Sequence, residues 1–451
     1  MKAIIIGLGK SGVASMKALI EAGFDVSVQD SKKSDEIDGE LRTYIEENGV
    51  KSYLGEMPES FKGFDTMILS PGVDPEKDFV IKAREEGLKI VGELEMAFRL
   101  AKGTFVGITG TNGKTTTTTL VGEIFKAAGK KTNVVGNIGL PVITVSASST
   151  ADDCMIAEVS SFQLQTTEFF KPHVSAILNL TPDHLNRHHS MEEYGRVKAG
   201  IWKNQGEGDY LVLNAEDELM NKLCVKDIQP APKARIVPFS AKRELEYGAF
   251  VEDGKLVFRD SDGSEAYFAG RDELRIIGEH NVENALAAAA ICYVSGIDAS
   301  VIGDVLRNFK GVEHRLEFVR ELDGVRYYND SKGTNTDAAM IALRAIGKDI
   351  ILIAGGDAKS QDFGEFAKEL KNRVKTILLF GRDAHMIREA CDRQGFESYI
   401  LLNNLEECVK KAGQIAEKGD TVLLSPACAS WDMYPNFEAR GDEFKTLVSE
   451  L

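Results

Sequence analysis

The sequence lacks most features of a secreted, membrane-spanning or zinc-binding protein. Its six cysteines are scattered without a C-x-x-C pair, which argues against a disulfide framework or a zinc site and favours reduced thiols in the cytoplasm. No apolar run reaches the roughly 20 residues of a membrane helix. The opening MKAIIIGLGKSG lacks the long apolar region of a signal peptide and is typical of a β-strand entering a glycine turn. We therefore expect no membrane insertion.

Positively charged residues are also fewer than negatively charged ones. The chain has 54 Lys and Arg residues against 70 Asp and Glu residues, a formal net charge of −16. A protein of this sign is a poor partner for nucleic acid or an anionic membrane. It can still hold a phosphorylated ligand, because a few lysines and backbone N–H groups suffice locally.

The order of apolar segments predicts an α/β protein. Short buried-strand patterns alternate with helical patterns along almost the whole chain, which is typical of mainly parallel sheets. A chain of 451 residues is too long to fold around a single hydrophobic core. We predict three domains over 1–92, 93–310 and 311–451, the first and third Rossmann-like and the central one a P-loop ATPase domain. Polar–apolar alternation over 240–275 predicts a small antiparallel excursion in the central domain.

The segment GTNGKTTTTTL resembles a phosphate-binding loop with one glycine misplaced. The usual G-x-x-x-x-G-K-[ST] pattern needs glycine where Ile108 stands. The order is nevertheless a strand, a turn containing Gly110 and Gly113, and a helix start. There, Lys114 can neutralise phosphate and Thr115 can place its hydroxyl on Mg²⁺. Five consecutive threonines make a poor helix by propensity alone, so a nucleotide site is favoured over an ordinary turn.

Two further residues at predicted strand ends could hold a phosphate-bound metal. Glu158 ends the strand pattern CMIAE, and His184 follows the strand pattern VSAILNL beside Asp183. Carboxyl ends of parallel strands are where α/β proteins bind ligands. The simpler alternatives are a solvated acid and a structural histidine. His188 and His189 are predicted to be surface residues.

A second glycine motif competes for the interpretation. Gly7, Gly9 and Gly12 form G-x-G-x-x-G after a strand, and Asp30 ends the next strand. This pattern is typical of a dinucleotide-dependent oxidoreductase, with the acid on a ribose. The same geometry suits any ribose diphosphate, including a nucleotide sugar, so both alternatives stay open on this motif.

Nine segments, in order, resemble the Mur ligase family of cell-wall enzymes: TGTNGKTT, VGNIGLP, EVSSFQL, LTPDHLNRH, GEHNVENALAA, EHRLE, NDSKGTN, GGDAKSQDF and SPACASWDMYPNFEARG. The resemblance implies an ATP-dependent amide ligase that works through an acyl phosphate in peptidoglycan precursor synthesis. Phe162 in EVSSFQL favours the member that adds D-glutamate to UDP-N-acetylmuramoyl-L-alanine. A sibling ligase adding another amino acid, such as L-lysine or diaminopimelate, is the alternative.

The resemblance also implies residue roles around ATP and Mg²⁺. Lys114, Glu158, His184 and Lys198 are the implied catalytic residues. Thr115, Glu158, His184 and Lys198, the last as a carbamoylated lysine, are the implied Mg²⁺ ligands. The implied ATP-binding residues are Gly110, Thr111, Asn112, Gly113, Lys114, Thr115, Thr116, Asn281, Asn284, Arg315 and Asp330. On its own, Lys198 is typical of a solvated helix lysine.

The remaining roles concern the two other substrates. The implied UDP-sugar-binding residues are Lys10, Ser11, Asp30, Ser31, Asn137 and Ser160. The implied D-glutamate-binding residues are Lys332, Thr334, Lys359, Ser430 and Phe437. Trp431 is bulkier than the small apolar residue expected beside Ser430. We expect a cytoplasmic monomer that closes by hinge motion near residues 308–312.

Overall fold

A computed structural model describes residues 1–222, 231–359 and 361–451. Cys224 lies outside these ranges, and the five cysteines within them carry no disulfide. Two compact units divide the chain: Met1–Glu273 with Glu283–Arg307, and Leu274–Val282 with Asn308–Leu451. The described residues contain no helix with the length and apolar character needed to cross a membrane.

The first unit begins with a five-stranded parallel sheet in the order β3-β2-β1-β4-β5. Its strands are β1 (Lys2–Ile6), β2 (Asp25–Asp30), β3 (Lys51–Leu54), β4 (Thr66–Leu69) and β5 (Lys89–Gly92). Its helices are α1 (Lys10–Glu21), α2 (Gly39–Glu47), α3 (Asp78–Glu85) and α4 (Glu93–Leu100). The inner strands are almost wholly buried, as expected when helices cover both faces of a parallel sheet.

The same unit contains a nine-stranded sheet in the order β14-β13-β12-β11-β10-β9-β6-β8-β7. Its strands are β6 (Thr104–Thr109), β7 (Lys131–Gly136), β8 (Asp153–Glu158), β9 (Val174–Ile177), β10 (Tyr210–Asn214), β11 (Arg235–Ser240), β12 (Gly248–Glu252), β13 (Lys255–Arg259) and β14 (Glu265–Gly270). Strands β12 to β14 pair antiparallel. They fall within the stretch where the sequence predicts an antiparallel excursion.

Helices of this central region join its strands or follow them. They are α5 (Lys114–Ala127), α6 (Ile143–Ser146), α7 (Ser161–Leu164), α8 (Leu185–His188), α9 (Met191–Ala199), α10 (Glu218–Asn221), α11 (Glu279–Val294) and α12 (Ala299–Asn308). Because β6 lies between β8 and β9, the loops leaving the carboxyl ends of these three strands are neighbours.

The second unit has a six-stranded sheet in the order β15-β16-β20-β17-β18-β19. Its strands are β15 (Glu317–Leu322), β16 (Val325–Asn329), β17 (Ile350–Gly355), β18 (Val374–Phe380), β19 (Tyr399–Leu401) and β20 (Thr421–Leu424). Its helices are α13 (Thr336–Ile346), α14 (Gly364–Leu370), α15 (Ala384–Gln394), α16 (Leu405–Ile415) and α17 (Phe437–Ser449). The antiparallel edge strand β15 is the one strand here that the apolar pattern did not predict, because its residues are half-exposed.

Three mainly parallel sheets with a small antiparallel part confirm the predicted fold class. The domain bounds at 92/93 and 310/311 stay a prediction.

Candidate active site

The glycine loop between β6 and α5 has the geometry of a phosphate cradle. Gly110 and Gly113 both have positive φ, at 150° and 83°. The φ of Gly113 is strained for any residue with a Cβ, and that Cβ would also lie 2.2 Å from Asn284 Oδ1, so glycine is required there. The Lys114 ammonium donates to the carbonyl oxygens of Gly110 and Thr111 at 2.8 and 2.7 Å. The lysine is therefore folded over the loop where a phosphate would be bound.

Asn179, which follows β9, fixes the opposite side of this loop. Its Oδ1 accepts hydrogen bonds from the backbone N–H groups of Thr111 and Asn112 at 3.1 and 2.8 Å. The threonine run predicted to begin a helix does so: Thr115 and Thr116 are buried at the start of α5. Burial of these side chains gives the threonine-rich helix tertiary contacts, which can outweigh a propensity that alone disfavours it. Asn179 has no role in the sequence-based set.

Glu158 provides a carboxylate at the end of β8, next to β6. Asn137 donates its Nδ2–H to Glu158 Oε1 at 2.8 Å and its backbone N–H to the Glu158 carbonyl at 2.9 Å. The other oxygen, Oε2, is buried and has no hydrogen-bond partner among the described residues. A buried, unpartnered carboxylate oxygen beside a phosphate loop fits a Mg²⁺ ligand, because hard cations prefer oxygen.

Lys198 lies against the same loop rather than in solvent. It is 1% exposed, and its ammonium donates to the Gly110 carbonyl at 2.9 Å and the Thr109 hydroxyl at 3.3 Å. The ammonium also lies 4.7 Å from the centre of the Tyr194 ring. This placement rules out a solvated helix lysine. Burial raises the pKa of Tyr194 to about 12, and its hydroxyl lies 3.3 Å from the Thr111 hydroxyl.

His184 has a strained backbone and an exposed side chain. Its φ is 51°, a left-handed value that non-glycine residues rarely adopt. Its Nε2 lies 3.5 Å from Asp183 Oδ2, and its ring centre lies 4.8 Å from that of Phe162. Among the described residues, no group of three or more His, Cys, Asp or Glu side chains could hold a metal. The predicted metal ligands also include Thr115 and a carbamoylated Lys198, and this set stays a prediction.

The prediction that His188 is a surface residue is wrong. The residue is 0% exposed, with Nε2 2.9 Å from the Ser161 hydroxyl. Its ring lies between those of Phe162 and Tyr194, at centroid distances of 5.6 and 5.2 Å. Burial, aided by the positive charges of nearby side chains, lowers the pKa of His188 to about 4. Single-sequence reasoning missed it because nothing in the letters HH distinguishes the buried ring from the exposed one.

Replacing His188 by glutamine is expected to flatten the acid limb of the stability profile. Because its folded pKa of about 4 lies below 6.5, the unfolded chain binds this proton more readily. The wild-type protein should therefore lose stability more steeply than H188Q as the pH falls from 6.5 to about 4. Thermal unfolding midpoints across this range measure the difference. Exposed His189→Gln is the matched control, and parallel curves for wild type and H188Q would contradict the assignment.

The glycine turn after β1 is built as the G-x-G-x-x-G pattern predicts. A Cβ on Gly12 would lie 1.8 Å from the Gly7 carbonyl oxygen. The helix can therefore pack this closely against the turn only because residue 12 is glycine. Asp30 accepts hydrogen bonds from the N–H groups of Leu8 at 2.6 Å and Lys32 at 2.9 Å. Ser70, missed from sequence, donates to the Gly7 carbonyl at 2.8 Å. Asp30 therefore holds the turn in shape.

The other predicted UDP-sugar residues follow the ends of β1, β2 and β8. Lys10 and Ser31 are exposed, and Ser11 is half-buried at the start of α1. Ser160 caps α7, with its hydroxyl accepting from the Gln163 N–H at 3.2 Å. Arg187 lies on α8, and its guanidinium donates to the carbonyls of Pro71 and Val73, which follow β4, at 3.2 Å each. It therefore links the region of the nine-stranded sheet to that of the five-stranded sheet.

The predicted adenine-side asparagines have different partners. Asn284 Oδ1 accepts from the Thr117 hydroxyl at 3.4 Å in the first unit. Asn281, in the second unit, donates its Nδ2–H to the Ile277 carbonyl at 2.7 Å. Their predicted roles at ATP stay a prediction.

Asp330 and Arg315 lie close together in the second unit. Asp330 is buried, its Oδ2 accepts from the Ser425 hydroxyl at 2.7 Å, and burial raises its pKa to about 6. Arg315 has a buried Nε without a partner among the described residues and partly offsets that pKa shift. Arg440, missed from sequence, is fully buried and donates to the Ser331 hydroxyl and carbonyl at 2.9 and 2.8 Å. It fixes the loop that follows Asp330.

The five predicted acceptor residues fall into two groups. The Lys332 ammonium lies 5.5 Å from the centre of the Phe437 ring, and the Thr334 N–H donates to the Lys332 carbonyl at 2.9 Å. The Lys359 ammonium lies 4.0 Å from the centre of the Trp431 ring, next to buried Ser430. Each lysine is thus paired with an aromatic face.

Family models match along most of the chain. A Mur ligase MurD-like N-terminal domain matches residues 1–92, a Mur ligase middle domain matches 108–292, and a Mur ligase glutamate ligase domain matches 314–428. The chain belongs to the Mur ligase family. It is an ATP-dependent ligase of that family. The oxidoreductase interpretation of the motif formed by Gly7, Gly9 and Gly12 is wrong.

Relatives are similar to this Mur ligase over its whole length. A UDP-N-acetylmuramoylalanine–D-glutamate ligase of Caldanaerobacter subterraneus is 45% identical over 453 residues, covering 100% of this chain and 98% of that protein. One from Alkaliphilus oremlandii is 46% identical, covering 99% and 98%. Among solved structures, the UDP-N-acetylmuramate-alanine ligase MurC of Thermotoga maritima has a TM-score of 0.60 at 20% identity, covering 100% and 99%. The MurF ligase of Thermotoga maritima, in complex with ADP, has a TM-score of 0.58 at 17% identity, covering 86% and 96%. These structural likenesses show the fold.

Proposed function

We propose that this Mur ligase joins D-glutamate to UDP-N-acetylmuramoyl-L-alanine in peptidoglycan precursor synthesis. The observation that carries the substrate assignment is full-length identity of 45% to 46% with ligases named for that donor and acceptor. The geometry supports the chemistry, since a phosphate cradle, a buried carboxylate and a buried lysine meet at the carboxyl ends of β6 and β8.

In the proposed reaction, a carboxylate oxygen of the alanyl group attacks the γ-phosphorus of ATP, and ADP leaves. The neutral amine of D-glutamate then attacks the acyl carbon. Phosphate leaves with the oxygen that formed the acyl phosphate, the nitrogen loses a proton, and an amide bond remains. The carboxylate becomes an electrophile only through this step, so the protein mainly positions the groups and neutralises their charge.

Named residues account for that neutralisation. The Lys114 ammonium, now on the Gly110 and Thr111 carbonyls, would turn to the transferred phosphoryl group. Thr115 with Glu158 would hold one Mg²⁺ and His184 a second, and these cations would supply positive charge opposite the phosphate oxygens. Asn137 holds the Glu158 carboxylate in place and leaves Oε2 available to the cation.

Carbamoylation of Lys198 completes the proposed metal set. The reaction needs a neutral amine and CO₂, and it turns a buried cation into an anion beside the Gly110 carbonyl. We expect the enzyme to lose activity after CO₂ is removed and to regain it on addition of bicarbonate. Lys198→Met should be inactive and insensitive to bicarbonate. Equal wild-type activity with and without CO₂ would contradict the carbamate.

The UDP-sugar and D-glutamate residues given above, the monomeric state, the cytoplasmic location and the hinge near 308–312 stay predictions. One experiment tests the reaction itself. The alanyl carboxylate is labelled with ¹⁸O, and the products are analysed by mass spectrometry after incubation with ATP, Mg²⁺ and D-glutamate. An ¹⁸O atom in phosphate, together with a glutamyl adduct of the nucleotide sugar, is the expected result. Unlabelled phosphate beside the same adduct would contradict an acyl phosphate.

A further inference from the structure

The loop that follows β4 is a tight turn packed on the first glycine motif. The Val73 N–H donates to the Ser70 carbonyl at 2.9 Å, which closes a β-turn with Pro71 at its second position. The Ser70 hydroxyl donates to the Gly7 carbonyl at 2.8 Å, so this β-turn is fixed to the glycine turn after β1. Its own hydrogen bond leaves the Pro71 and Val73 carbonyls available to accept others.

Arg187 donates to both of these carbonyls. It lies on α8, three residues after His184, and its guanidinium donates to the Pro71 and Val73 carbonyls at 3.2 Å each. Its Nε–H donates to Gln165 Oε1 at 3.0 Å. The planar fork of a guanidinium serves several acceptors at fixed angles, which the ammonium of lysine does not. Three hydrogen bonds therefore hold Arg187 in one orientation.

The same guanidinium lies on an aromatic ring that contacts His184. Its central carbon lies 4.2 Å from the centre of the Phe162 ring, and that centre lies 4.8 Å from the centre of the His184 imidazole. Because the His184 side chain is 51% exposed, the ring contact limits where its imidazole can point. All of these residues belong to the first compact unit. A continuous set of contacts thus runs from the glycine turn through Arg187 and Phe162 to His184.

We propose that Arg187 is a positioning residue that fixes the separation between the glycine turn and His184, and so between the places where the two ends of the nucleotide sugar are bound. The inference rests on the proposed function, in which the uridine end lies at the glycine turn and the alanyl carboxylate reaches a cation held by His184. A substrate that must reach both places is bound well only if their separation matches its length. A ligand that contacts the glycine turn alone is insensitive to that separation.

The affinities of the intact nucleotide sugar and of UDP distinguish this role from damage to the turn. In R187M, we expect the KM for UDP-N-acetylmuramoyl-L-alanine to rise by about tenfold, as the loss of a hydrogen bond from a charged group predicts. The inhibition constant of UDP, measured as a competitor of the nucleotide sugar, should stay unchanged, as should the KM values for ATP and D-glutamate. An unchanged KM for the nucleotide sugar, or UDP inhibition weakened in the same proportion, would overturn the proposal.

R187K separates the geometry of the fork from its charge. Lysine keeps the positive charge but cannot bond both carbonyls as the fork does, so the KM of R187K for the nucleotide sugar should lie closer to that of R187M than to that of the wild type. A wild-type KM in R187K would overturn the proposal. R196M is the matched control, since Arg196 is an exposed residue on α9 that pairs with Glu192.

F162L tests the second half of the contact set and does not depend on the folding of R187M. It removes the ring on His184 and keeps the bonds from Arg187 to the β-turn. The KM for the nucleotide sugar should rise while UDP inhibition stays unchanged, and a wild-type KM would overturn the proposal. Failure of the wild type to use the nucleotide sugar would instead contradict the proposed function, which separates the two outcomes.

Discussion

Replacing Lys114 by methionine is expected to lower kcat by about a thousandfold, the loss typical when a key charge-stabilising group is removed. The lysine begins α5, and its ammonium lies on the carbonyls of the loop that would bind phosphate. Methionine keeps the length and apolar stem of the side chain but cannot neutralise a phosphoryl oxygen. Initial rates at saturating substrates measure the effect.

Lys126→Met is the matched control for this change. Lys126 lies on the same helix, is half-exposed and pairs with Glu123 three residues earlier. Such surface pairs contribute little to stability, so this variant should retain wild-type kcat. A K114M enzyme within tenfold of wild type, with a normal unfolding midpoint, would show that the loop is not the phosphate site.

Replacing Glu158 by glutamine is expected to lower kcat by about a hundredfold and to raise the Mg²⁺ concentration needed for half-maximal rate. The amide oxygen can still accept the hydrogen bond from Asn137, so the local fold should survive. What is lost is the negative charge at the buried, unpartnered Oε2 position. A neutral oxygen binds Mg²⁺ more weakly than a carboxylate does.

Mg²⁺ titrations of the rate distinguish this effect from general damage. Glu123→Gln is the control, since Glu123 is a half-exposed acid on α5. Excess Mg²⁺ should restore part of the E158Q rate if the carboxylate is a metal ligand. An unchanged Mg²⁺ requirement in E158Q would remove Glu158 from the metal set.

Local sequence patterns predicted the sheets and the phosphate loop because both depend on short-range rules. Buried-strand patterns identify parallel strands, and the order of strand, glycine turn, lysine and helix identifies the loop. Asn179 and Ser70 were missed because their partners, Asn112 and Gly7, lie 67 and 63 residues away in sequence. Only the folded sheet brings such residues together.

Residue type also did not predict which polar side chains are buried. His188 and Lys198 carry side chains that are usually exposed, yet both are buried beside Tyr194. The resemblance to a family implied a role for Lys198 at the ATP site, whereas nothing in the sequence distinguished His188 from His189. Trp431 is bulkier than expected, and the structure places the Lys359 ammonium on its ring.

The central claim is the donor–acceptor pair, and phosphate release from ATP tests it most directly. The enzyme, with Mg²⁺ and UDP-N-acetylmuramoyl-L-alanine, is given single amino acids in turn, including D-glutamate, L-glutamate, L-lysine and diaminopimelate. Release that requires both the nucleotide sugar and D-glutamate, and that L-glutamate does not support, is the predicted result. Release that depends on another amino acid would contradict the claim and move this ligase to a sibling step of the same family.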